Sequence, residues 1–462
     1  MELNNVPDEV LYQIFDYLDV YELKPASLVC RRWAELTFSG RRMKRVCLEH
    51  RISDFDFFSN TKRNYLNIKV NALYSQVDQF ESLVRLLRTL KSNIRMLDLK
   101  CDVTSEQLRL LLLEAPKLEY LKIKSNCKTN GPFTVLPDDH FNIICRSMPS
   151  LQSLNMRCTC DFELKVWKHL SGQLKLAHVL LFCEEYIEPF LELTFPLLED
   201  LSLRFGSIEE LVSGRSHEFF KRHPLLRELS IRDLIPLQCF ESITRHCPEL
   251  TYLHLLVKDP EEDFLESLAQ LTKLKHLSLE GKVARKKFHG GPKSLELVEL
   301  DLKNPELLLE SLFAPQLKYL KINNAHLVHL MFICDNFSYL QHLEVNVKDV
   351  IGADDSVRLN NLTHLLDLKL RGPTNIDYIH HENVRCLTIS RGEVTSIHFQ
   401  MITHTFPALQ RLILEKCSVS LAYGEFLYKV MPHCRVDYRK RRFYPIENSY
   451  RYIQLNKMCS TQ

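Results

Sequence analysis

A short apolar phrase, Pro-x-Leu-x-x-Leu-x-[Leu/Ile/Met], recurs along most of the chain. It occurs in full from Pro116 to Ile123, and further copies start at Pro149, Pro196, Pro224, Pro248, Pro315 and Pro407. Its Leu-x-Leu part alternates apolar and polar residues, which predicts a short strand with one buried face. A helical pattern such as Phe240 to Cys247 precedes the proline, and proline cannot continue a helix. We therefore expect each proline to end a helix on the convex side and to lead into a strand on the concave side.

The same core recurs without the proline, so that one array covers most of the sequence. Its central positions lie mostly about 19 to 29 residues apart, which is the leucine-rich-repeat period; they are Leu97, Leu121, Leu154, Val179, Leu201, Leu229, Leu253, Leu277, Leu300, Leu320, Leu343, Leu368, Leu387 and Leu412. Weaker copies lie at Val46 and Ile68, and we expect Cys434 to Tyr438 to form a final capping strand. No repeat can bury its leucines alone, so neighbours must stack. The predicted fold is an α/β solenoid, a horseshoe with a parallel concave sheet.

The first forty residues follow a different, helical pattern. Pro7 suits a first helical position, and Asp8 and Glu9 place negative charge in the first turn. Apolar residues then recur at helical spacing at Val10, Leu11, Ile14, Phe15 and Leu18. Further helical turns follow, with Pro25 in the first turn of a new helix. These residues predict a three-helix unit close to the lower size limit for independent folding.

This stretch closely resembles the F-box, the motif by which substrate receptors dock onto the Skp adaptor of cullin–RING ubiquitin ligases. The positions that match the family pattern are Pro7, Glu9, Val10, Leu11, Ile14, Phe15, Leu18, Leu23, Leu28, Val29, Cys30, Arg32 and Trp33. Val6 stands where leucine is usual, and Met43 lies near the place of a second tryptophan. The alternative is an ordinary helical cap of the repeat array.

The resemblance extends to the irregular leucine-rich repeats found behind F-boxes. It implies a non-catalytic, substrate-recognition subunit of an SCF (Skp–cullin–F-box) E3 ubiquitin ligase that recruits a protein for ubiquitination and proteasomal degradation. Its partners would be the Skp adaptor, through it a cullin–RING ligase, and an unknown protein substrate. The adaptor-binding residues would be Val6, Pro7, Glu9, Val10, Ile14, Phe15, Leu18, Leu23, Leu28, Val29 and Trp33, with Pro7, Ile14 and Phe15 exposed or only partly covered. A non-ligase repeat scaffold or inhibitor is the alternative.

These patterns predict an F-box at residues 1–45, a solenoid at 46–436 and a basic, aromatic tail at 437–462. Turn signals predict an inserted loop between Asn130 and Asp138, and a second loop between Lys282 and Pro292. The basic run from Arg41 to Arg51 is expected to be a solvated face, and the alternative is a nuclear-targeting or acidic-partner patch. The tail cluster Arg439 to Arg442 could bind nucleic acid or import factors, or be solvated or packed on the solenoid end.

Composition excludes several classes of function. The chain has 462 residues, 45% of them hydrophobic and 26% charged, with a net charge of +2, which gives no global attraction to nucleic acid or membranes. The N-terminus has no signal-peptide pattern, and no apolar run is long enough for a membrane span. The 15 cysteines are scattered through apolar segments, which favours a reduced protein of the cytoplasm and/or nucleus.

Motifs for catalysis, cofactors and metals are not found in the sequence. There is no glycine-rich phosphate loop, nucleophile elbow or metalloprotease helix. Cys158 and Cys160 with Cys183 come nearest to a metal cluster, but they lack a second pair at zinc spacing and are expected to pack in repeat cores. His380 and His381 are expected to be solvated. We therefore predict no metal and no cofactor.

One column of charged residues suggests where a substrate could bind. The residue after the second leucine of a strand points away from the core, as does the residue between the leucines. In successive repeats these positions are Lys100, Lys124, Arg157, Phe182, Arg204 and Arg232, with Lys122 on the adjacent column. On neighbouring strands they would form a basic column that receives an acidic or phosphorylated segment. The alternative is an ordinary solvated sheet face.

Overall fold

The structure is a computed structural model of the chain. It describes residues 6–18, 20–39, 42–43, 46–50, 65–71, 77–90, 93–100, 103–123, 143–144, 146–148, 150–157, 178–182, 188–204, 214–257, 262–280, 297–302, 314, 316–347, 357–371, 379–419 and 430–439. The chain divides into two compact units, residues 1–247 and 248–462. The two predicted loops and tail residues 440–462 lie outside the described residues.

The N-terminal unit begins with three helices, α1 (Asp8–Tyr17), α2 (Val20–Ala26) and α3 (Arg31–Thr37). Acidic side chains occupy the first turn of α1, where the helix dipole favours them. The position predicted for Pro25 is wrong, because this proline lies in the last turn of α2. Helix α3 begins after Cys30, whose Sγ accepts a hydrogen bond from the backbone N–H of Trp33 at 3.4 Å.

A parallel sheet follows in the same unit. Its strands are β1 (Cys47–His50), β2 (Asn67–Asn71), β3 (Met96–Lys100), β4 (Tyr120–Ile123), β5 (Ser153–Arg157), β6 (His178–Phe182), β7 (Asp200–Arg204) and β8 (Glu228–Leu234). The helices between them are α4 (Val77–Thr89), α5 (Ser105–Glu114), α6 (Glu188–Leu191), α7 (Gly214–Arg222) and α8 (Leu237–His246). Each strand pairs with the next in sequence, and the central residues of β2 to β8 stand opposite one another, from Ile68 to Leu229, as the repeat spacing predicts. In β1, Leu48 rather than Val46 pairs with Ile68.

The C-terminal unit repeats the arrangement. Its strands are β9 (Tyr252–Leu256), β10 (His276–Glu280), β11 (Glu299–Leu302), β12 (Tyr319–Ala325), β13 (His342–Val347), β14 (Val357–Arg358), β15 (Asp367–Arg371), β16 (Ile379–His380), β17 (Cys386–Val394), β18 (Arg411–Val419) and β19 (Arg435–Arg439). Helices α9 (Glu262–Leu268), α10 (Leu327–Asn336) and α11 (Ser396–Thr405) and a 3-10 turn (Leu359–Asn361) connect them. The central leucines from Leu253 to Leu412 are again in register, and Val436 of the predicted capping strand pairs with Leu412. Strands β14 and β16 form a separate parallel pair.

The repeated prolines mark the switch from helix to strand. Pro116, Pro196, Pro224, Pro248 and Pro407 each lie in a short turn after one helix and before the next strand. In the copy at Pro116 the N–H of Leu118 donates to the carbonyl of Ala115 at 3.1 Å, a turn in which proline holds its favoured second position. The prediction for these five prolines is confirmed, while Pro149 and Pro315 lie outside the described residues.

Among the described residues, no helix is long and apolar enough to cross a membrane.

One histidine is built into the N-terminal core. The Nε2 of His223 accepts a hydrogen bond from the backbone N–H of Phe195 at 2.9 Å, and Nδ1 donates to the carbonyl of Phe219 at 2.7 Å. The side chain is only 2% exposed, and burial lowers its pKa to about 4. The neutral imidazole thus bridges two consecutive repeats, because it satisfies one backbone donor and one backbone acceptor.

We expect the free energy of unfolding to fall as the pH is lowered from about 6.5 to about 4. In this window His223 stays neutral when folded but takes up a proton when unfolded, so the unfolded state binds more protons and is favoured. Above the ordinary histidine pKa, His223 makes its full contribution to the free energy of unfolding, which is about 3 kcal/mol. Urea unfolding at about pH 7.5 and about pH 4.5 should show a larger loss for the wild type than for His223→Gln. The exposed His404→Gln is the control, and equal losses in wild type and His223→Gln would contradict the assignment.

Candidate protein-interaction surfaces

The three N-terminal helices enclose a small core of their own. Leu11, Phe15, Leu23 and Leu36 are buried, and Val6, Leu18, Ala26 and Trp33 pack against them. The ring of Phe15 meets that of Trp33 edge to face, with centroids 5.1 Å apart. The expectation that Phe15 is exposed is therefore wrong, because it follows Leu11 by one helical turn on the inner face of α1 and is 1% exposed. Leu23 is likewise fully buried.

Other residues that were predicted to bind the adaptor lie at the surface. Val10 and Ile14, one turn apart on α1, are 43% and 46% exposed, and Leu28 and Val29, in the turn before α3, are 81% and 61% exposed. Pro7 and Glu9 are also exposed, as expected for Pro7, while Val6, Leu18 and Trp33 are half-buried. We call Val10, Ile14, Leu28 and Val29 the exposed apolar set. Four solvent-facing aliphatic side chains in so small a unit are a feature of interaction surfaces.

One motif position, Arg32, forms contacts within the unit. Arg32 Nε donates to Asp8 Oδ1 at 2.8 Å and its Nη2 donates to the carbonyl of Val6 at 2.6 Å, so Arg32 joins the start of α1 to α3. The Asp8 and Arg32 side chains are well exposed, so this ion pair contributes little stability of its own. Its effect is to fix the direction of the chain segment that enters α1.

Arg42 lies in the basic run that was expected to be solvated, and for this residue the expectation is wrong. Its side chain is buried, donating from Nη1 to the carbonyl of Tyr12 at 3.2 Å and to Asp16 Oδ1 at 3.0 Å. From Nη2 it donates to the carbonyl of Leu36 at 2.5 Å, and its guanidinium lies 4.5 Å from the centre of the Tyr12 ring. Arg42 thus ties α1 to the end of α3. Arg41, Lys44 and Arg45 lie outside the described residues.

The predicted basic column belongs to the face of the N-terminal sheet opposite the leucines, which we call its open face, and the structure gives the strand register of three of its members. Arg157, Phe182 and Arg204 stand opposite one another in β5, β6 and β7, as predicted. Arg232 of β8 is exposed. The side chains of Lys100, Arg157, Phe182 and Arg204, and Lys124 as a whole, lie outside the description, so their contacts stay a prediction.

The charge of Lys122, on the adjacent column, is partly compensated. The Nζ of Lys122 lies 3.8 Å from Asp98 Oδ2 on the neighbouring strand, and both side chains are largely buried. Asp98 was not among the residues considered in the prediction. The predicted positive potential of the open face would therefore depend on the arginines of β5, β7 and β8 more than on Lys122.

One row of residues in the C-terminal unit was not predicted from the sequence. The position just before the first strand leucine reads Tyr252, His276, Glu299, Tyr319, His342 and Asp367 in six strands that pair successively, β9, β10, β11, β12, β13 and β15. The order tyrosine, histidine, carboxylate thus occurs twice. Lining up the repeats on their leucines and reading the preceding column would have revealed it.

The structure gives little support to the cysteines and histidines that were considered as metal ligands. Among the described residues no group of three His, Cys, Asp or Glu side chains could hold a metal ion, and Cys158, Cys160 and Cys183 lie outside them. His380 is exposed, whereas the prediction for His381 is wrong because it is 2% exposed. The Nε2 of His381 lies 3.0 Å from the carbonyl of Leu362, and its Nδ1 accepts from the N–H of Asn383. Its role is therefore structural.

Comparison with known proteins finds one family model that is similar to the N-terminal helices. Residues 3–49 match the F-box-like family model. Together with the leucine register of both sheets, this match supports an F-box/leucine-rich-repeat protein. No curated protein sequence matches the chain.

Solved structures that match the chain include a leucine-rich-repeat protein of Leptospira interrogans. The two chains are 15% identical over 85% of this chain and 99% of the other, with a TM-score of 0.37. A protein of Bacteroides fragilis is 12% identical over 59% of this chain and 76% of its own, with a TM-score of 0.34.

Proposed function

We propose that the protein is a substrate-recognition subunit of an SCF-type ubiquitin ligase, acting in the cytoplasm and/or nucleus. The observation that carries the proposal is an F-box-like segment at residues 3–49 with four aliphatic side chains at its surface. In this function the exposed apolar set, with Pro7 and Glu9, contacts the Skp adaptor. Phe15, Leu23 and Trp33 hold the three helices together and act on docking through the shape of the unit. The predicted horseshoe curvature of the repeats stays a prediction.

The chain would contribute proximity rather than chemistry. A substrate held by the repeats and a ubiquitin-loaded enzyme held by the cullin meet at high effective concentration, because both are tethered to one assembly. Transfer of ubiquitin is then performed by other subunits, and this chain forms no covalent intermediate. The protein would be a non-catalytic subunit that marks its substrate for proteasomal degradation.

Affinity capture tests the assignment directly. A tagged full-length chain expressed in cells should recover both the Skp adaptor and a cullin. A chain carrying Ile14→Asp and Leu28→Asp should recover neither, while an equal amount of folded protein is purified. Capture of neither by the wild type would instead favour the alternative function, a repeat scaffold or inhibitor whose F-box-like helices only cap the array.

We further propose that the open face of the N-terminal sheet receives an acidic or phosphorylated segment of the substrate. Arg157, Arg204 and Arg232 would act as bidentate anchors for carboxylate or phosphate groups, with Phe182 between the first two. The strand register supports this placement, because it brings Arg157, Phe182 and Arg204 onto neighbouring strands about 4.8 Å apart.

Reversing two of these charges should weaken binding of an acidic probe. For Arg204→Glu with Arg232→Glu we expect about tenfold lower affinity for a fluorescent peptide rich in glutamate and phosphoserine, because charge-assisted hydrogen bonds are lost. Wild-type affinity should fall steeply with added salt. Arg371→Glu, an exposed arginine of the C-terminal sheet, is the matched control. If binding does not depend on salt, or if the double variant loses no affinity, the open face is an ordinary solvated sheet face and not a binding site.

A further inference from the structure

The duplicated row in the C-terminal unit consists of two equivalent clusters. In the first, the ring centroids of Tyr252 and His276 are 6.3 Å apart and tilted by 36°. In the second, those of Tyr319 and His342 are 6.1 Å apart and tilted by 35°. The same tyrosine–histidine geometry therefore recurs three strands further along the sheet.

Each histidine is held by the carboxylate on the next strand. His276 Nδ1 lies 2.9 Å from Glu299 Oε2, and His342 Nδ1 lies 2.6 Å from Asp367 Oδ2. The carboxylates fix the orientation of the imidazole rings, which in turn lie against the tyrosines. All four of these charged or titratable side chains remain 36% to 50% exposed, so both clusters are open to a partner.

The carboxylates in and around the row fall into two groups: those paired with a lysine or arginine and those held by a histidine. Lys321 Nζ lies 2.6 Å from Asp301 Oδ2, and Lys369 Nζ lies between Glu344 at 3.5 Å and Glu415 at 3.4 Å. Arg411, on the strand after next from Asp367, is bound to Asp437 at 2.6 Å. In the described contacts the close partner of Glu299 is the imidazole of His276. Asp367 is held by His342, accepts a hydrogen bond from the thiol of Cys386, and also lies within the electrostatic influence of Arg411.

The environment of Tyr319 indicates the same local potential. Burial, followed by the carboxylates of Glu344, Asp301 and Glu299, raises the pKa of Tyr319 to about 12. The phenol therefore stays neutral. Of these three carboxylates, Asp301 and Glu344 are paired with lysines, whereas Glu299 stands directly opposite Tyr319 on the neighbouring strand. An aromatic face beside a carboxylate is the chemistry that holds a cationic side chain, through cation–π and charge attraction together.

We propose that this row binds an extended protein segment that carries two lysine or arginine side chains four residues apart. The two clusters are separated by three strand steps of about 4.8 Å, or about 14 Å. An extended chain advances about 3.4 Å per residue, so four residues span about the same distance. Residues i and i+4 of an extended chain also point to the same side. The inference deepens the proposed function, on which it rests, because it specifies the chemistry of a recruited substrate.

Two peptides of equal charge test the spacing. In a serine–threonine background, one fluorescent peptide carries lysines at i and i+4, and the other at i and i+3, where the side chains point to opposite sides. Full-length protein should bind the first about tenfold more tightly by fluorescence anisotropy, because only that peptide engages both clusters. Equal affinities for the two peptides would overturn the proposal.

Two variants test the residues. Glu299→Gln with Asp367→Asn should lower affinity for the i, i+4 peptide about tenfold and abolish the preference for its spacing, since the change removes charge with little change of shape. Glu382→Gln with Glu393→Gln, which alters two exposed carboxylates outside the row, should change neither quantity. Unchanged binding in the first variant, or an equal loss in the second, would overturn the inference.

The test of the binding row gives a result that is independent of the test of the ligase role. Capture of the Skp adaptor depends on the exposed apolar set, so Glu299→Gln with Asp367→Asn should leave it unaltered. Spacing-dependent peptide binding without adaptor capture would keep the binding row and reject the ligase role. Adaptor capture without spacing-dependent binding would support the ligase role and reject the binding row.

Discussion

Shortening Ile14 and Leu28 to alanine will lower the affinity for the Skp adaptor by about 100-fold while leaving unfolding of the chain nearly unchanged. Both side chains are substantially exposed, at 46% and 81%, so their truncation removes little packing within the protein. If they are central anchors of the docking surface, the two together should contribute about 3 kcal/mol of binding. Isothermal titration of purified adaptor into the full-length double variant measures the loss.

The control is a leucine truncation of the same kind elsewhere. Leu113 of α5 is 58% exposed and lies among the repeats, so Leu113→Ala should bind the adaptor like the wild type. Wild-type affinity in Ile14→Ala with Leu28→Ala would mean that the exposed apolar set is not the docking surface. A comparable loss in Leu113→Ala would show that the effect is unspecific.

Arg42→Met will destabilise the N-terminal helices by about 3 kcal/mol. The substitution keeps much of the apolar stem but removes the donors that bind the carbonyls of Tyr12 and Leu36 and the carboxylate of Asp16. Unpaired acceptors and a partly buried charge remain, and breaking such a network is costly. A loss of this size is a large part of the stability expected for so small a unit.

Tryptophan fluorescence can follow this change. Trp33 packs against Phe15, and the sequence contains 2 tryptophans, so a Trp167→Phe background makes Trp33 the reporter. The unfolding midpoint in urea should fall strongly for Arg42→Met and little for Arg31→Met, which removes an exposed arginine from the same unit. Equal midpoints for the two variants would show that Arg42 is not a structural tie.

The repeat architecture could be predicted from sequence because its signal is local. Leucines with a fixed spacing and prolines with a fixed phase determine where a helix ends and which side of a strand is buried. The pairing of Leu97 with Leu121, and of Leu343 with Leu368, follows from that phase alone. The strand phase of Arg157 and Arg204 could be predicted for the same reason.

The environment of single side chains was harder to predict. A helical pattern shows that Phe15 and Ile14 are apolar, but which of them faces Trp33 depends on how three helices pack. Arg42 was expected to be part of a solvated basic run. Its burial could not be predicted, because the carbonyls that it binds come from two different helices, α1 and α3. His381 was misjudged for the same reason, as its partner Leu362 lies in another repeat. Such partners become visible only when the chain is folded.

The row from Tyr252 to Asp367 is an intermediate case. Its members lie mostly 20 to 25 positions apart and form no motif when the chain is read continuously. The parallel register brings them onto adjacent strands, where contacts such as that between His342 and Asp367 form. Their position in the repeat was predictable, while their charge pairing required the structure.

The most direct test of the central claim is the stoichiometry and affinity of the full-length chain with purified Skp adaptor. We predict a one-to-one complex by size-exclusion chromatography with light scattering, and a saturable binding isotherm that Ile14→Ala with Leu28→Ala weakens about 100-fold. Separate elution of the two proteins at micromolar concentrations, with a wild-type chain shown to be folded, would contradict the claim that the exposed apolar set docks the chain onto a ubiquitin ligase.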